Sequence, residues 1–324
     1  MDTLIQGTGI TKHYDDFALD AFNITVSPDR VVGLIGSNGA GKTTLLKTLL
    51  GMTSLDKGSV RLLGVDPHAQ GALNAIKQRI GVVLDTCAFP VTMKVNDVAT
   101  LGHATYERWD STRFTKLCTT FDLPPKKLVK DLSRGMGMKL TLAFALSHHP
   151  NLLVLDEATA GLDPIARDEV LDIIRTFMEE EGHGVLMSTH ITTDLEKIAD
   201  EIVCIDKGKL VFTLEKEAIC DEAGIARCRA AELERVRKEW CKDSPVTQAT
   251  NLSARASTGA NSAFTPASAA ACTPIPSLRY LPRGLGIDLL VPDRFTFGKT
   301  FPNIPVERIS IEDYMTLTLK GEVL

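Results

Sequence analysis

The stretch VVGLIGSNGAGKTTLLKTLL, residues 31–50, contains an apolar run, a glycine-rich loop and a helical pattern in direct succession. Residues 31–35 have the apolar character of a buried strand, and residues 42–50 carry the periodicity of a helix. Between them GSNGAGKT, residues 36–43, fits the spacing G-x-x-x-x-G-K-[ST]. A strand, such a loop and a helix in this order predict an α/β domain whose loop binds phosphate.

Each position of this loop has a chemical reason. Glycines let the backbone turn tightly, so that successive N–H groups converge on phosphate oxygens, and the following helix adds the positive end of its dipole. We expect Lys42 to reach the β- and γ-phosphates and the Thr43 hydroxyl to bind Mg²⁺. The predicted nucleotide-binding residues of the loop are Gly36, Ser37, Asn38, Gly39, Ala40, Gly41, Lys42, Thr43 and Thr44.

Two acids end a second apolar run, LLVLDE, residues 152–157. Asp156 at the tip of this predicted strand is placed to organise Mg²⁺ opposite Thr43. Glu157 follows, where it can orient or activate the water that attacks a γ-phosphate. An acid pair that only caps the next helix is the alternative, and the upstream phosphate loop favours the catalytic interpretation.

A histidine ends a third apolar run, VLMSTHI, residues 185–191. A lone histidine is more often structural than catalytic. In α/β sheets, however, ligands bind at the carboxyl ends of the strands. We therefore predict that His190 contacts the γ-phosphate.

The segment LSRGM, residues 132–136, lies between the phosphate loop and the acids. With them it resembles the ATP-binding subunits of ABC transporters, whose LSGGQ-like signature begins a helix and closes over ATP held by a partner subunit. The resemblance implies that the Ser133 hydroxyl and the backbone at Gly135 face the γ-phosphate. An ordinary helix capped by Ser133 has the same local geometry and stays open as an alternative.

Other residues gain roles only through this resemblance, which covers about residues 3–217. Tyr14 looks like the aromatic residue that stacks on adenine, although a half-buried strand tyrosine is the simpler alternative. Asp163 looks like part of the loop that communicates across the dimer. Asp85 stands where the family usually has Gln, which implies a place in the Mg²⁺ shell. Arg134 and Met136 depart from the family signature.

The resemblance implies the P-loop NTPase fold of ABC type, with a mixed, largely parallel sheet, an antiparallel β subdomain and a helical subdomain at about residues 86–150. The ATP-binding domain would span residues 1–220. Residues 221–324 would form a C-terminal accessory region, a small αβ appendage that serves as a packing cap or as a regulator. Within it, about residues 243–276 are rich in Ser, Ala, Thr and Pro, which predicts a flexible segment.

The implied function is an ATPase that acts as the motor of transport, with ATP and Mg²⁺ as cofactors. Two ATP-binding subunits, identical or different, would sandwich the nucleotides and drive an integral-membrane permease, with export as the expected direction. The permease would dock within residues 85–133, which include Phe89, Pro90 and Trp109. The alternatives are a soluble ABC-type ATPase acting on ribosomes or DNA, and a nucleotide-binding regulator of low turnover.

Bulk properties narrow the setting. A formal net charge of −5 argues against general nucleic-acid binding, so no nucleic-acid partner is expected. The apolar runs of the chain are far shorter than the roughly 20 residues that cross a bilayer, and its N-terminus lacks the pattern of a secretory signal. We expect a cytoplasmic chain held at the cytoplasmic face of the cell membrane through the permease.

Overall fold

A computed structural model describes residues 3–69, 71–85, 87, 89–243, 278–284 and 286–324. Contacts divide the chain into a first unit, residues 1–216, and a second unit, residues 217–324. The predicted flexible segment at 243–276 lies outside the described residues, apart from Asp243, where a helix ends. Within the described ranges, no helix has both the length and the apolar character of a membrane span.

The first unit alternates strands and helices in the manner that the apolar runs predict. A short 3₁₀ helix, Val129–Asp131, precedes its fifth helix. The elements are, in chain order, β1 (Ile5–His13), β2 (Ala18–Val26), β3 (Arg30–Ile35), α1 (Lys42–Leu49), β4 (Lys57–Leu62), α2 (Ala72–Lys77), β5 (Ile80–Val83), α3 (Val95–Thr105), α4 (Ser111–Thr120), α5 (Arg134–Leu146), β6 (Leu152–Asp156), α6 (Pro164–Met178), β7 (Gly184–Ser188), α7 (Thr192–Ile198), β8 (Glu201–Asp206) and β9 (Lys209–Glu215).

The main sheet of the first unit has the strand order β5-β6-β7-β3-β8-β9. The neighbouring strands β5, β6, β7, β3 and β8 pair in parallel in this order. Strand β9 pairs with β8 in the antiparallel direction. Every residue of β6 and of β7 is buried, as expected for parallel strands that are covered on both faces. The predicted mixed, largely parallel sheet is confirmed.

A second, antiparallel sheet in this unit has the order β2-β1-β4. Its inward side chains join those of β3, α1 and β6 in one apolar core. The helices α3, α4 and α5 all lie between β5 and β6 in the chain. The antiparallel and helical parts that the resemblance implied are both present.

The register of the main sheet decides where the functional side chains meet. Asp156, the last residue of β6, is the partner of Ser188, the last residue of β7. Ser188 in turn pairs with Leu34, next to the end of β3. Because these strands are parallel, their carboxyl ends lie at one edge of the sheet. The loops that follow the three strands therefore start side by side.

The second unit is built around one antiparallel sheet with the order β13-β10-β12-β11-β14. Among the described residues, which leave out 244–277, the elements from β10 to β13 follow the β-α-β-β-α-β order of a ferredoxin-like motif. Val236, Leu289, Phe297 and Phe301 belong to its apolar core. The elements are β10 (Gly224–Cys228), α8 (Ala230–Asp243), β11 (Arg279–Arg283), β12 (Gly286–Val291), α9 (Arg294–Thr300), β13 (Val306–Arg308), α10 (Ile311–Lys320) and β14 (Glu322–Val323).

Candidate nucleotide site

The glycine-rich loop between β3 and α1 has a backbone that requires glycine. Gly41, directly before α1, has a φ of 110°, and Gly39 has a φ of 79°. Both values fall in the region that L-residues with a side chain rarely adopt. At Gly36 a Cβ atom would lie 2.3 Å from the Ile205 carbonyl oxygen. The loop therefore keeps its path only with small residues at these positions.

Lys42 is the buried cation of this loop. Its side chain is folded back, so that Nζ donates to the Gly36 carbonyl at 2.8 Å and to the Ser37 carbonyl at 3.3 Å. Carbonyl oxygens satisfy hydrogen bonds but leave the ammonium charge unneutralised, and a buried charge favours an anionic partner. The loop lines a cavity of about 290 Å³ together with Phe17 and Glu157. This cavity is suited to phosphate.

Asp156 is buried, with 2% of its surface exposed, and lies beside the first turn of α1. The Thr43 hydroxyl donates to its Oδ2 at 2.8 Å, and the Ser188 hydroxyl donates to its Oδ1. Mg²⁺ is commonly held by one or two protein oxygens, with phosphates and waters completing the shell. The described part of the chain contains no cluster of three or more His, Cys, Asp or Glu residues suited to a metal. Thr43 and Asp156 therefore fit Mg²⁺ that arrives with a nucleotide.

Glu157 follows Asp156 in a strained backbone conformation. Its φ is 53°, a left-handed value that costs a non-glycine residue about 1–3 kcal/mol. Its N–H donates to the Ser188 carbonyl at 3.0 Å, which ties the turn to β7. The carboxylate oxygen Oε2 accepts a 2.5 Å hydrogen bond from Nδ1 of His190. These contacts hold the carboxylate at the phosphate-loop cavity.

The helix α5 begins at the predicted signature. Ser133 is its N-cap, and Oγ accepts a hydrogen bond from the Met136 N–H at 3.2 Å. A Cβ at Gly135 would lie 2.8 Å from Leu162 Cδ2, so the helix start packs closely on the loop before α6. In that loop Asp163 caps α6, and the backbone N–H donors, led by that of Ala166, lower the pKa of its carboxyl.

Known proteins carry the same organisation. A family model described as ABC transporter matches residues 19–160 of the chain. The bacitracin transport ATP-binding protein BcrA of Bacillus licheniformis is 31% identical over 214 residues, which cover 65% of this chain and 69% of that protein. The chain belongs to the ABC transporter ATP-binding family. The Nod factor export ATP-binding protein I of Burkholderia thailandensis is 36% identical over 228 residues, or 65% of this chain and 73% of the relative.

Solved structures share the fold of this ABC ATP-binding chain at lower identity. One ATP-binding subunit of an ABC transporter is 22% identical with a TM-score of 0.61, covering 67% of this chain and 91% of the other. The dimeric cassette MJ0796, in a post-hydrolysis state bound to ADP and Pi, is 18% identical with a TM-score of 0.59 and coverages of 65% and 98%. By its family, the chain binds and hydrolyses ATP to drive transport. These relatives do not favour the alternative of a soluble ATPase on ribosomes or DNA.

An aromatic residue that the sequence analysis did not name lines the phosphate-loop cavity, and stacking of Tyr14 on adenine stays a prediction. Phe17 lines the phosphate-loop cavity of this ABC subunit, and a Cβ at Gly41 would lie 2.4 Å from its ring. Tyr14, at the other end of the same turn, is 47% exposed and has the Lys12 ammonium 5.9 Å from its ring centroid. The structure therefore brings Phe17, and not Tyr14, to the loop.

Asp85 contacts the start of α5 in the single chain. Its carboxylate accepts a short hydrogen bond from the Arg134 guanidinium at the start of α5. It lines a separate cavity of about 380 Å³ with Ser133 and Arg134. Its described side-chain hydrogen bond is to Arg134 rather than to Thr43 or Asp156, and its place in the Mg²⁺ shell stays a prediction. The cation that contacts the Asp85 carboxylate is the Arg134 guanidinium.

Some site residues were missed by the sequence interpretation. Ser188 donates to Asp156, and its signal was its place at the end of a strand next to β6. In the sequence, no feature of Phe17 set it apart from Tyr14.

Two of the aromatic residues expected to meet a permease pack inside the helical segment. The rings of Phe89 and Trp109 each lie 5.0 Å, between centroids, from the ring of Phe144. They form part of an aromatic cluster in the helical segment.

Proposed function

We propose that this ABC ATP-binding subunit is the ATP-hydrolysing motor of an exporter and that it works at a composite site formed with a second ATP-binding subunit. The observation that supports hydrolysis most directly is the position of Glu157. Its carboxylate lines the phosphate-loop cavity and is held there by His190. A carboxylate fixed beside a phosphate site is the group that a water nucleophile needs.

The first step is binding of ATP through its phosphates. In this proposal the N–H groups of residues 36–44 and the positive end of α1 receive the β- and γ-phosphates. Lys42 would exchange its carbonyl partners for phosphate oxygens. Mg²⁺, held by Thr43 and Asp156, would neutralise phosphate charge during transfer. The ring of Phe17 supplies an apolar wall at the edge of the same cavity.

The second step would be attack of water on the γ-phosphate, in which a bond forms from the water oxygen to the γ-phosphorus while the bond from that phosphorus to the β,γ-bridging oxygen breaks, so that ADP leaves with the bridging oxygen. Glu157 would orient the water and accept its proton, because its carboxylate is the acid that lines the cavity. The imidazole N–H of His190 would keep the carboxylate aimed at the cavity. We assign His190 to γ-phosphate contact as well, from its place after β7. Family resemblance alone supports that second assignment.

The proposal needs a second subunit because the signature side is open. Ser133 and Arg134 are exposed in the single chain, and they line a different cavity from that of the phosphate loop. The exposed start of α5 is thus available to ATP bound by another subunit, with Ser133 and Gly135 facing its γ-phosphate. Asp163, which follows Leu162 in the loop that packs on this helix start, would transmit the contact across the interface. The second subunit could be identical or related.

Export through a permease is proposed from the names of relatives, which include bacitracin transport and Nod factor export proteins. The chain would then lie at the cytoplasmic face of the membrane. Docking within residues 85–133 remains our proposal for the permease contact. Its support is the exposure of Pro90 and Val91, which lie beside the buried Phe89.

The test compares Mg²⁺-dependent ATPase activity of the wild type with that of Glu157→Gln and Glu215→Gln, while light scattering follows dimer formation. We expect Glu157→Gln to lose about 10²–10⁴-fold in turnover, the usual contribution of general base catalysis, and to collect as an ATP-bound dimer. Glu215→Gln removes an exposed carboxylate that pairs with Arg30 and should behave as wild type. Unchanged turnover in Glu157→Gln would favour the low-turnover regulator instead.

A further inference from the structure

The two departures from the family pattern contact each other. Asp85 follows β5, and Arg134 is the first residue of α5, next to Ser133. The Arg134 guanidinium donates to Asp85 Oδ1, although 49 positions separate the two residues in the chain. Their side chains are 57% and 51% exposed for Arg134 and Asp85. The pair is therefore accessible from solvent at the start of the signature helix.

The stability of α5 does not explain an arginine at this position. A helix N-terminus carries partial positive charge, so a cation in the first turn is unfavourable. The first turn of α5 contains no acidic residue that would compensate. Compensation comes instead from Asp85, which belongs to another segment. An anion beside Arg134 is thus favourable, and in the single chain a carboxylate supplies it.

The surroundings of the pair are closely packed and carry a second positive charge. Cys87, two residues after Asp85, packs on the same turn, where a Cβ at Gly137 would lie 3.2 Å from the Cys87 Cβ. Nearby, the Lys127 ammonium meets only the weak acceptor Met136 Sδ among its described hydrogen bonds, at 3.7 Å. A second positive charge at this helix start therefore has no strong acceptor in the described chain. The site can accept more negative charge than Asp85 provides.

We propose that Arg134 binds the terminal phosphate of the nucleotide held by the second subunit and that Asp85 is its resting partner. This inference rests on the composite site proposed above. A guanidinium forms charge-assisted, bidentate hydrogen bonds with phosphate as well as with carboxylate. Closure of the dimer exchanges the carboxylate for phosphate, so Asp85 competes with ATP for the same cation.

An alternative is that the pair only ties the segment after β5 to α5. The two ideas predict opposite effects of removing the Asp85 carboxylate on ATP-driven dimer formation. If the pair is a tie, loss of either partner loosens the helix start and weakens ATP-driven dimer formation. If Asp85 competes with ATP, loss of the carboxylate strengthens dimer formation, whereas loss of the guanidinium weakens it.

The experiment uses the full chain carrying Glu157→Gln as parent, and it measures the ATP concentration for half-maximal dimer formation by light scattering. We expect Arg134→Met to raise this concentration about tenfold, since a hydrogen bond to a charged group is worth roughly 1.5–3 kcal/mol. Asp85→Asn should lower it about threefold. The double variant should match Arg134→Met, because Asp85 acts only through Arg134.

Controls separate the possible failures. Arg30 and Glu215 form an ion pair of similar exposure elsewhere in the first unit, and Arg30→Met or Glu215→Gln should leave the ATP requirement unchanged. Arg134→Lys keeps the charge without the planar fork and should fall between the parent and Arg134→Met. A parent that forms no ATP-dependent dimer contradicts the composite site itself. A parent that dimerises, with Asp85→Asn weakened or Arg134→Met unaffected, overturns only the role of this pair.

Discussion

The Thr43 hydroxyl donates a 2.8 Å hydrogen bond to Asp156 Oδ2 and so joins the first turn of α1 to the end of β6. The two residues are 113 positions apart in the chain. This bond places a neutral oxygen and an anionic oxygen at the mouth of the phosphate loop. A cation that arrives with ATP would find the Thr43 and Asp156 oxygens already in position. Its binding would break the hydrogen bond between them.

Thr43→Val tests this arrangement. The substitution keeps the shape of the side chain but removes the hydroxyl, so we expect the Mg²⁺ concentration for half-maximal ATPase activity to rise by roughly tenfold or more. A Mg²⁺ titration at saturating ATP measures it. Thr115→Val removes a comparable threonine hydroxyl, which donates to the Ser111 carbonyl on α4, and should have no effect. An unchanged Mg²⁺ requirement in Thr43→Val would remove this residue from the metal site.

Gly41→Ala should destabilise the chain more than Gly39→Ala does. Both positions have positive φ, which costs a residue with a side chain about 1–2 kcal/mol. Nothing lies within 4 Å of a Cβ at Gly39, whereas the Phe17 ring lies 2.4 Å from a Cβ at Gly41. Thermal unfolding measures the difference. Adding Phe17→Ala should recover part of the loss in Gly41→Ala only, and no recovery would mean that backbone strain alone sets the cost.

Acid should weaken the first unit through His148. Burial is the largest cause that lowers the pKa of this imidazole from 6.5 to about 4, while Nε2 donates to the Ile80 carbonyl at 3.2 Å. Between these two pH values the unfolded chain binds a proton that the folded chain does not. Stability is therefore complete above pH 6.5 and falls as the pH drops towards 4, by about 3 kcal/mol in all.

Chemical denaturation at several pH values measures this loss. The variant His148→Phe lacks the titrating group and should lose less stability between pH 6.5 and 4 than the wild type does. His103→Asn removes an exposed histidine of α3 and should keep the wild-type slope. Equal slopes for the wild type and His148→Phe would show that this histidine does not control the acid response.

Two substitutions of Ser133 separate its capping role from its proposed phosphate role. Asn and Asp are both good N-caps, so Ser133→Asn and Ser133→Asp should each leave the unfolding free energy within about 1 kcal/mol of wild type. Only the Asp variant places a negative charge where the γ-phosphate of the second subunit would lie. We expect ATP-dependent dimer formation to fail in Ser133→Asp and to persist in Ser133→Asn. Equal dimer formation in both would leave Ser133 as a cap alone.

The phosphate loop could be predicted because its chemistry is local. Residues 36–43 combine glycines, a lysine and a threonine at fixed spacing, and the flanking strand and helix were found at β3 and α1. The ends of β6 and β7 could be placed next, since parallel strands end at a common edge. For this reason the sequence predicts roles for Asp156 and Glu157 from their place at the end of an apolar run, together with the phosphate loop upstream.

Contacts between distant segments could not be predicted in the same way. The turn between β1 and β2 decides whether Tyr14 or Phe17 faces the loop, and no periodicity fixes the path of that turn. The pairing of Asp85 with Arg134 depends on how the helical segment folds back on β5. A family resemblance gives each of these residues a role singly, but it does not show that Asp85 and Arg134 contact each other.

The left-handed backbone at Glu157 lowers the stability of the chain at the residue that we propose for catalysis. Glycine adopts that conformation without penalty, so Glu157→Gly should relieve strain while it removes the carboxylate that we propose as the general base. Inactive variants of this chain could therefore unfold at a higher temperature than the active form. Screens that select for thermal resistance alone would then favour loss of the glutamate, and a measurement of turnover must accompany every stabilised variant.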